Sequence, residues 1–277
     1  MRPARFPILT ILTVMGLLVS FPACRRGPKD KSVDAAADPS RPDVTGSELD
    51  EANAMAFLYG NWDESRECSV QKPADVPPTL VTVEGAYEIP DTAPERILLI
   101  TAASPEGLDS HGQAPTIGGA LFEKVPGGWK AAVRTPKIAE MGSYGKPPDG
   151  HLVQIGPKRW GVEYTPGFSN MGVTSGGFAL IAEGNGALRQ VLALTGTSEE
   201  NGGACDEDQD TCYAFDSEVS YGPGANADWF DVEITTSGSR AGRDGKAEDF
   251  SETKRFVFDG KEYRIPVSGG GKKGVAR

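Results

Sequence analysis

Short turn signals punctuate this chain between apolar segments, and they limit what it can fold into more than any other feature. Pro126-Gly127-Gly128, Gly156-Pro157-Lys158, Asn185-Gly186 and Asp259-Gly260 are the clearest. Tight hairpin turns need positive φ at central residues, which Gly and Asn tolerate, and their twist matches that of paired antiparallel strands. The segments between them have a period of two. Trp160, Val162 and Tyr164 alternate with Arg159, Gly161 and Glu163. Phe230, Val232 and Ile234 oppose Asp231, Glu233 and Thr235, while Tyr213, Phe215, Val219 and Tyr221 share a face. Such alternation predicts strands buried on one side. Within Arg96–Ala103 the run Ile97-Leu98-Leu99-Ile100 is unbroken, which predicts a strand buried on both faces. Around the last turn, Phe256 and Phe258 are expected to meet Tyr263 and Ile265 across a closing hairpin. The 35 glycines and 21 prolines in 277 residues fall short of the roughly 25–30% that marks low complexity. They read as turn residues. The expected fold is all-β, a meander of antiparallel hairpins arranged as a sandwich, barrel or propeller-like array.

One short N-terminal helix is expected before the strands, over Ser47–Tyr59. Ser47 is placed to cap it, and Glu48, Asp50 and Glu51 stand where the helix dipole favours acid. Leu49, Ala52, Ala56 and Tyr59 form a stripe, and Gly60 is a natural stop. An internal echo follows. Trp129, Thr135-Pro136 and Met141-Gly142 are repeated as Trp160, Thr165-Pro166 and Met171-Gly172. If the echo is a duplicated hairpin, both tryptophans fill equivalent core positions. Two copies are too few for a solenoid.

The first 24 residues give an address. Arg2 and Arg5 precede an apolar run from Phe6 to Phe21, with Pro22, Ala23 and Cys24 after it. A basic start, an apolar stretch and a small residue before the cut make an export signal. The run is shorter than the roughly 20 residues that span a bilayer. Phe21-Pro22-Ala23-Cys24 resembles the lipobox of bacterial lipoproteins, although that family usually has an aliphatic residue where Phe21 stands. The resemblance implies that Cys24 is lipidated, that the membrane is a partner through this lipid, and that the location is the cell envelope. Without an Asp after the cysteine it implies the outer membrane. The alternative is a plain signal and a soluble periplasmic or secreted chain. The expected organisation is a signal at 1–23, a lipidated cysteine and disordered tether at 24–46, a single β-rich domain at 47–267, and a disordered tail at 268–277.

Charge excludes one class of partner. There are 28 basic and 39 acidic residues, a formal net charge of −11. Such a chain repels nucleic acid, and no nucleic-acid partner is expected. The acidity suits solubility, cations or a basic partner.

If Cys24 carries lipid, Cys68, Cys205 and Cys212 remain. Cys205 and Cys212 bracket a polar loop and are the expected disulfide in an oxidising compartment, which leaves Cys68 as an odd buried thiol. Pairings of Cys68 with either stay open. Asp206, Asp208 and Asp210 alternate as in the start of a calcium loop, but the Gly at the sixth position and the Glu at the twelfth are missing. No metal or other cofactor is expected. His111 and His151 have no spaced partner for zinc, and both read as loop or strand-end residues. Gly167-Phe168-Ser169-Asn170-Met171-Gly172 is not a nucleophile elbow. With no catalytic constellation, an enzyme is not expected. A hydrolase would require a polar pocket holding two carboxylates, or His151 beside a serine.

Two further resemblances are short. Leu58-Tyr59-Gly60-Asn61-Trp62 resembles the Gly-x-Trp opening of lipocalin-like barrels, which implies a Trp sealing one barrel end. His111 to Lys124 resembles a stretch of uncharacterised secreted bacterial proteins in which cysteines flank the histidine. Here Ser110 and Gln113 stand in those places. The function expected is that of an envelope lipoprotein whose non-catalytic β domain binds a protein or glycan. Candidate contacts are the acidic loop 206–211 and the Gly-rich loops 142–150 and 167–177. The alternatives are an inhibitor of a basic muramidase or toxin, and a hydrolase.

Overall fold

The computed structural model describes residues 48–72, 77–107, 110–206 and 210–266. The signal, Cys24, the tether, Ser47, Asp208 and the tail lie outside them.

A helix, α1 (Glu51–Tyr59), precedes fifteen strands. Six build the first sheet: β1 (Trp62–Asp63), β2 (Cys68–Gln71), β3 (Thr79–Ile89), β4 (Arg96–Pro105), β5 (Thr116–Val125) and β6 (Gly128–Glu140), paired in that order. The second sheet holds β7 (Gly150–Gly156), β8 (Arg159–Tyr164), β9 (Gly167–Asn170), β10 (Val173–Gly184) and β11 (Ala187–Glu200). It is completed by β12 (Ala214–Pro223), β13 (Phe230–Ala241), β14 (Ala247–Phe258) and β15 (Tyr263–Arg264). Its order is β15-β14-β13-β12-β11-β10-β8-β7, with β9 also on β10. Every named pairing is antiparallel. The fold is the expected all-β meander, in sandwich form. Neither sheet closes into a barrel.

The turns do what their residues dictate. Asn185 and Gly186 take φ of 56° and 74° and join Gly184 to Ala187 across the β10–β11 hairpin. Pro126-Gly127 joins β5 to β6, and Pro157-Lys158 joins β7 to β8. At the last hairpin Phe258 pairs with Tyr263 as expected, but β15 ends at Arg264 and Ile265 is 53% exposed. The helix starts later than its sequence suggests. Asp50 is the cap, its carboxylate accepting from the Asn53 backbone N–H at 2.7 Å. Gly60 ends the helix at φ 67°. The buried face is Ala54, Met55 and Leu58, not the stripe through Ala52 and Ala56. The helix is apolar nearly all round, so its period does not single out a face.

Three cores explain the layers. Leu99, Ala120, Phe122 and Trp129 on one face of the first sheet pack under α1. Leu98, Ile100, Leu121 and Val133 on the other face pack against Val162, Tyr164, Ala179 and Ile181 of the second sheet. The unbroken run at 97–100 is the strand that both faces of this sheet require. The second sheet curls, and its concave side encloses Phe178, Leu180, Val191, Trp229, Val232 and Phe258. The internal echo is not a structural repeat. Trp129 is buried beneath the helix while Trp160 is only half-buried, and Met141 is 6% exposed against 88% for Met171. Asp231, expected on a solvent face, is buried where Gly224 crosses it, and its carboxylate accepts from Arg255 Nε at 2.7 Å.

Buried tyrosines set an alkaline limit. Burial, with help from the Glu84 and Asp149 carboxylates, pushes the Tyr87 hydroxyl up to about 12. Burial raises Tyr164, Tyr221 and Tyr263 as well. An unfolded tyrosine ionises near 10. The folded chain thus keeps protons that the unfolded chain releases, so this part of stability is intact below about pH 10 and is lost as pH rises above it. Tyrosinate absorbance is expected to rise in one cooperative step together with loss of the β circular-dichroism signal. Independent titration of these groups near pH 10 with the sheets intact would contradict it.

Candidate functional site

The curled second sheet has a blind end and an open end. At the blind end Trp229 stacks on Phe258 with ring centres 3.7 Å apart, Tyr263 meets both edge-on, and the Arg159 guanidinium covers the indole at 4.3 Å. This plug sits at the start of β8 and the end of β14. The opposite ends of the strands form the mouth.

The mouth exists because β11 and β12 part. They pair only at Glu199–Phe215 and Glu200–Ala214. Beyond that the Ser217 hydroxyl spans the fork, donating to the Thr197 carbonyl at 2.6 Å. The result is a cavity of about 480 Å³, lined by Glu163 and Thr165, Gly167, Gly176 to Phe178, Thr197 and Ser198, and Asp216 to Val219. Its size is ordinary for a small-ligand or side-chain site. A second hollow of about 510 Å³ shares Ser198 and Asp216 and extends the first past Glu199, Glu200 and Ser237.

Glu163 is the fixed group of the mouth. In β8, Val162 and Tyr164 face the first sheet, which turns Glu163 to the concave side. The Tyr221 hydroxyl donates to its Oε2 at 2.7 Å. That hydroxyl is held well above the ordinary tyrosine range by burial and by this bond. Across the β7–β8 pair, His151 stands opposite Glu163. Deeper on the same side lie Leu180 and Phe178. Outside the fork, Glu199 accepts from the Tyr213 hydroxyl at 2.7 Å, which raises Tyr213. Neither lining contains a lysine or arginine.

An aromatic rim stands beside the mouth. His111 packs on Tyr144 and Phe168 with centroids 4.9 and 4.8 Å away, and its Nε2 lies 3.2 Å from the Ser169 carbonyl. Tyr144 is 50% exposed, Phe168 48% and Met171 88%. Tyr144 and Met171 both hold positive φ, 53° and 50°, a conformation that costs free energy in non-glycine residues and gathers at functional loops. The loops are tied to one another: the Gly145 N–H donates to the Gln113 carbonyl at 2.8 Å, and Gly203 N–H to the Gly172 carbonyl at 3.1 Å. Gly172 has φ 81°, and a Cβ there would lie 2.3 Å from the Gly203 backbone. Only glycine permits that approach.

Cys205 and Cys212 form the expected disulfide, with Cα atoms 5.0 Å apart. Asn201 anchors the loop base through Nδ2 to the Thr211 carbonyl at 2.9 Å and Oδ1 from the Tyr213 N–H at 2.7 Å. Cys68 corrects the sequence expectation. It is fully buried and disulfide-bonded, not an odd thiol. Because Cys205 and Cys212 pair with each other, its partner is not among the described residues. The expectation of a free thiol came from setting Cys24 aside as lipidated.

The loops around 142–150 and 167–177 that the sequence singled out, and the described ends of 206–211, therefore converge at the mouth end. Asp210 pairs with Lys246 at 3.7 Å, and the described residues hold no group of His, Cys, Asp and Glu suited to a metal. Trp62 seals no barrel; it lies beside the helix, and Trp229 closes the blind end instead. Glu163 and Asp216 both line the cavity, Glu163 half-buried and Asp216 from an exposed position. The cavity itself escaped the sequence, since Glu163 and Tyr221 are 58 residues apart. No family model, curated protein or solved structure matches this chain.

Proposed function

We propose that this chain is an exported envelope protein that binds a partner at the mouth of its second sheet, without catalysis. One observation carries the binding reading. A cavity, three exposed apolar side chains, two of them at positive φ, and a disulfide-clamped loop meet at one end of the domain. Exposed apolar groups gathered beside a concavity mark recognition surfaces more than chance exposure does. The Cys205–Cys212 disulfide supports an oxidising location. A photo-crosslinking residue in place of Phe168 is expected to capture one partner in native envelopes, and the same residue in place of Glu252 none. Equal capture from both positions would sink the reading.

The anchor has its own test, and Cys68 sharpens it. Cys24 is the one remaining cysteine in the sequence, and a sulfur in a thioether is closed to a disulfide. The mature chain from native envelopes is therefore expected to carry no diacylglyceryl mass and to show thiols that all resist alkylation until reduced, as a free periplasmic or secreted domain. A chain that begins at Cys24 with a diacylglyceryl-plus-acyl mass would make it a lipid-anchored envelope protein instead.

Inhibition of a basic muramidase or toxin is a narrower form of the binding reading, favoured by the acidic lining. A hydrolase is the second reading, favoured by Glu163 and Asp216 in one cavity. Turnover of envelope glycans that is lost in both Glu163→Gln and Asp216→Asn would establish it in place of simple binding.

A further inference from the structure

We infer that the mouth receives a basic segment of a partner polypeptide, with one lysine or arginine side chain seated against Glu163. This rests on the binding reading above and names its ligand class.

The cavity has the parts such a side chain needs, in the right order. Phe178 is buried at its floor and Val219 lies beside it, an apolar surface for the methylene stem of a long cationic residue. Glu163 stands above them. Tyr221 occupies its Oε2, which fixes the carboxylate and leaves Oε1 for a ligand. No lysine or arginine among the described residues pairs with Glu163 or Asp216. The charge of the mouth is therefore not cancelled from within. Hydroxyls of Thr165, Ser198 and Ser217 surround the site as acceptors for the remaining N–H groups. An anionic ligand is excluded by the same lining, which offers carboxylates and no cationic donor.

The site continues as a track. The second hollow runs from Ser198 and Asp216 past Glu199 and Glu200, so further basic side chains of an extended segment meet further carboxylates. This continuity favours a polypeptide over a small amine. The exposed faces of Tyr144 and Phe168 on the rim add places where a cation or aliphatic stem can lie. The charge of the whole chain, 28 basic against 39 acidic residues, steers such a partner inward.

The test titrates a synthetic octalysine peptide into the full mature chain by calorimetry. Saturable binding is expected. The double variant Glu163→Gln/Asp216→Asn is expected to weaken it by about 10-fold or more, chiefly through loss of the half-buried Glu163 charge. Glu64→Gln/Glu88→Gln removes the same charge from exposed positions in the β1–β2 turn and on β3 and is expected to change affinity by less than about 2-fold. Asp216→Asn alone, at an exposed strand position, guards against a folding defect and is expected to weaken binding measurably. Equal losses from both double variants would overturn the inference, because binding would then be diffuse attraction. So would absence of saturable binding, or lysinamide binding as tightly as the peptide. Should the peptide fail while crosslinking at Phe168 still captures a partner, the ligand class falls and the binding reading stands. Failure of both removes both.

Discussion

Replacing Trp229 by alanine is expected to cost about 4 kcal/mol, within the range of large-aromatic truncations in packed cores. The side chain is 5% exposed and is shared by Phe258, Tyr263 and the Arg159 guanidinium. Truncation removes the stacked ring, leaves a cavity at the blind end and strips the cation of its aromatic cover. It also loosens a tight backbone approach, since the Asp228 carbonyl beside it would lie 2.2 Å from a Cβ at Gly156. For a domain of this size each kcal/mol shifts Tm by roughly 2–4 °C, so a fall of about 8–16 °C is expected in thermal melts. Trp129→Ala, beneath the helix, is expected to destabilise without touching the curled sheet. A Trp229→Ala variant melting within about 3 °C of wild type would mean that the plug does not hold the curl.

Removing the Cys205–Cys212 bond by a double alanine substitution has the next largest expected effect. The sequence separation is 7, and chain-entropy arguments assign such a loop about 2.5 kcal/mol. The bond holds the strand connection just where β11 and β12 begin to part, and Asn201 and Gly203 tie that connection to Tyr213 and Gly172. The variant should therefore lose Tm by about 5–10 °C and should also show faster amide exchange at 201–206 and 210–215 than elsewhere. Uniform destabilisation with no local gain in exchange would deny the loop a part in shaping the mouth.

What the sequence disclosed divides by range. Turn chemistry is local, so the Asn185-Gly186 and Pro126-Gly127 hairpins and the strands they join follow from a few adjacent residues. The short spacing of Cys205 and Cys212 made their pairing readable for the same reason. The helix start was not readable, because Asp50 and Ser47 both cap well and the apolar residues surround the axis. The echo of Met141 in Met171 shows how little local similarity decides: one is buried in a core and the other caps an exposed hairpin. The mouth depends on curl, which brings Tyr221 to Glu163 across 58 residues. Alternation marked Glu163 as polar and outward, and the outward side of β8 proved to be the inside of a curled sheet. Ile265 and Asp231 were misplaced by the same assumption that alternation continues to the end of a strand and that polar means exposed.

The central claim is that the recognised surface is the mouth end of the second sheet. Amide hydrogen exchange of the full chain, compared between native envelopes and purified protein, tests it most directly. Expected is added protection confined to 143–146, 163–168, 174–178, 197–200 and 214–219, with β1 to β4 and the blind end around Trp229 unchanged. Protection centred on the helix and first sheet, or none above that of the purified chain, would contradict it.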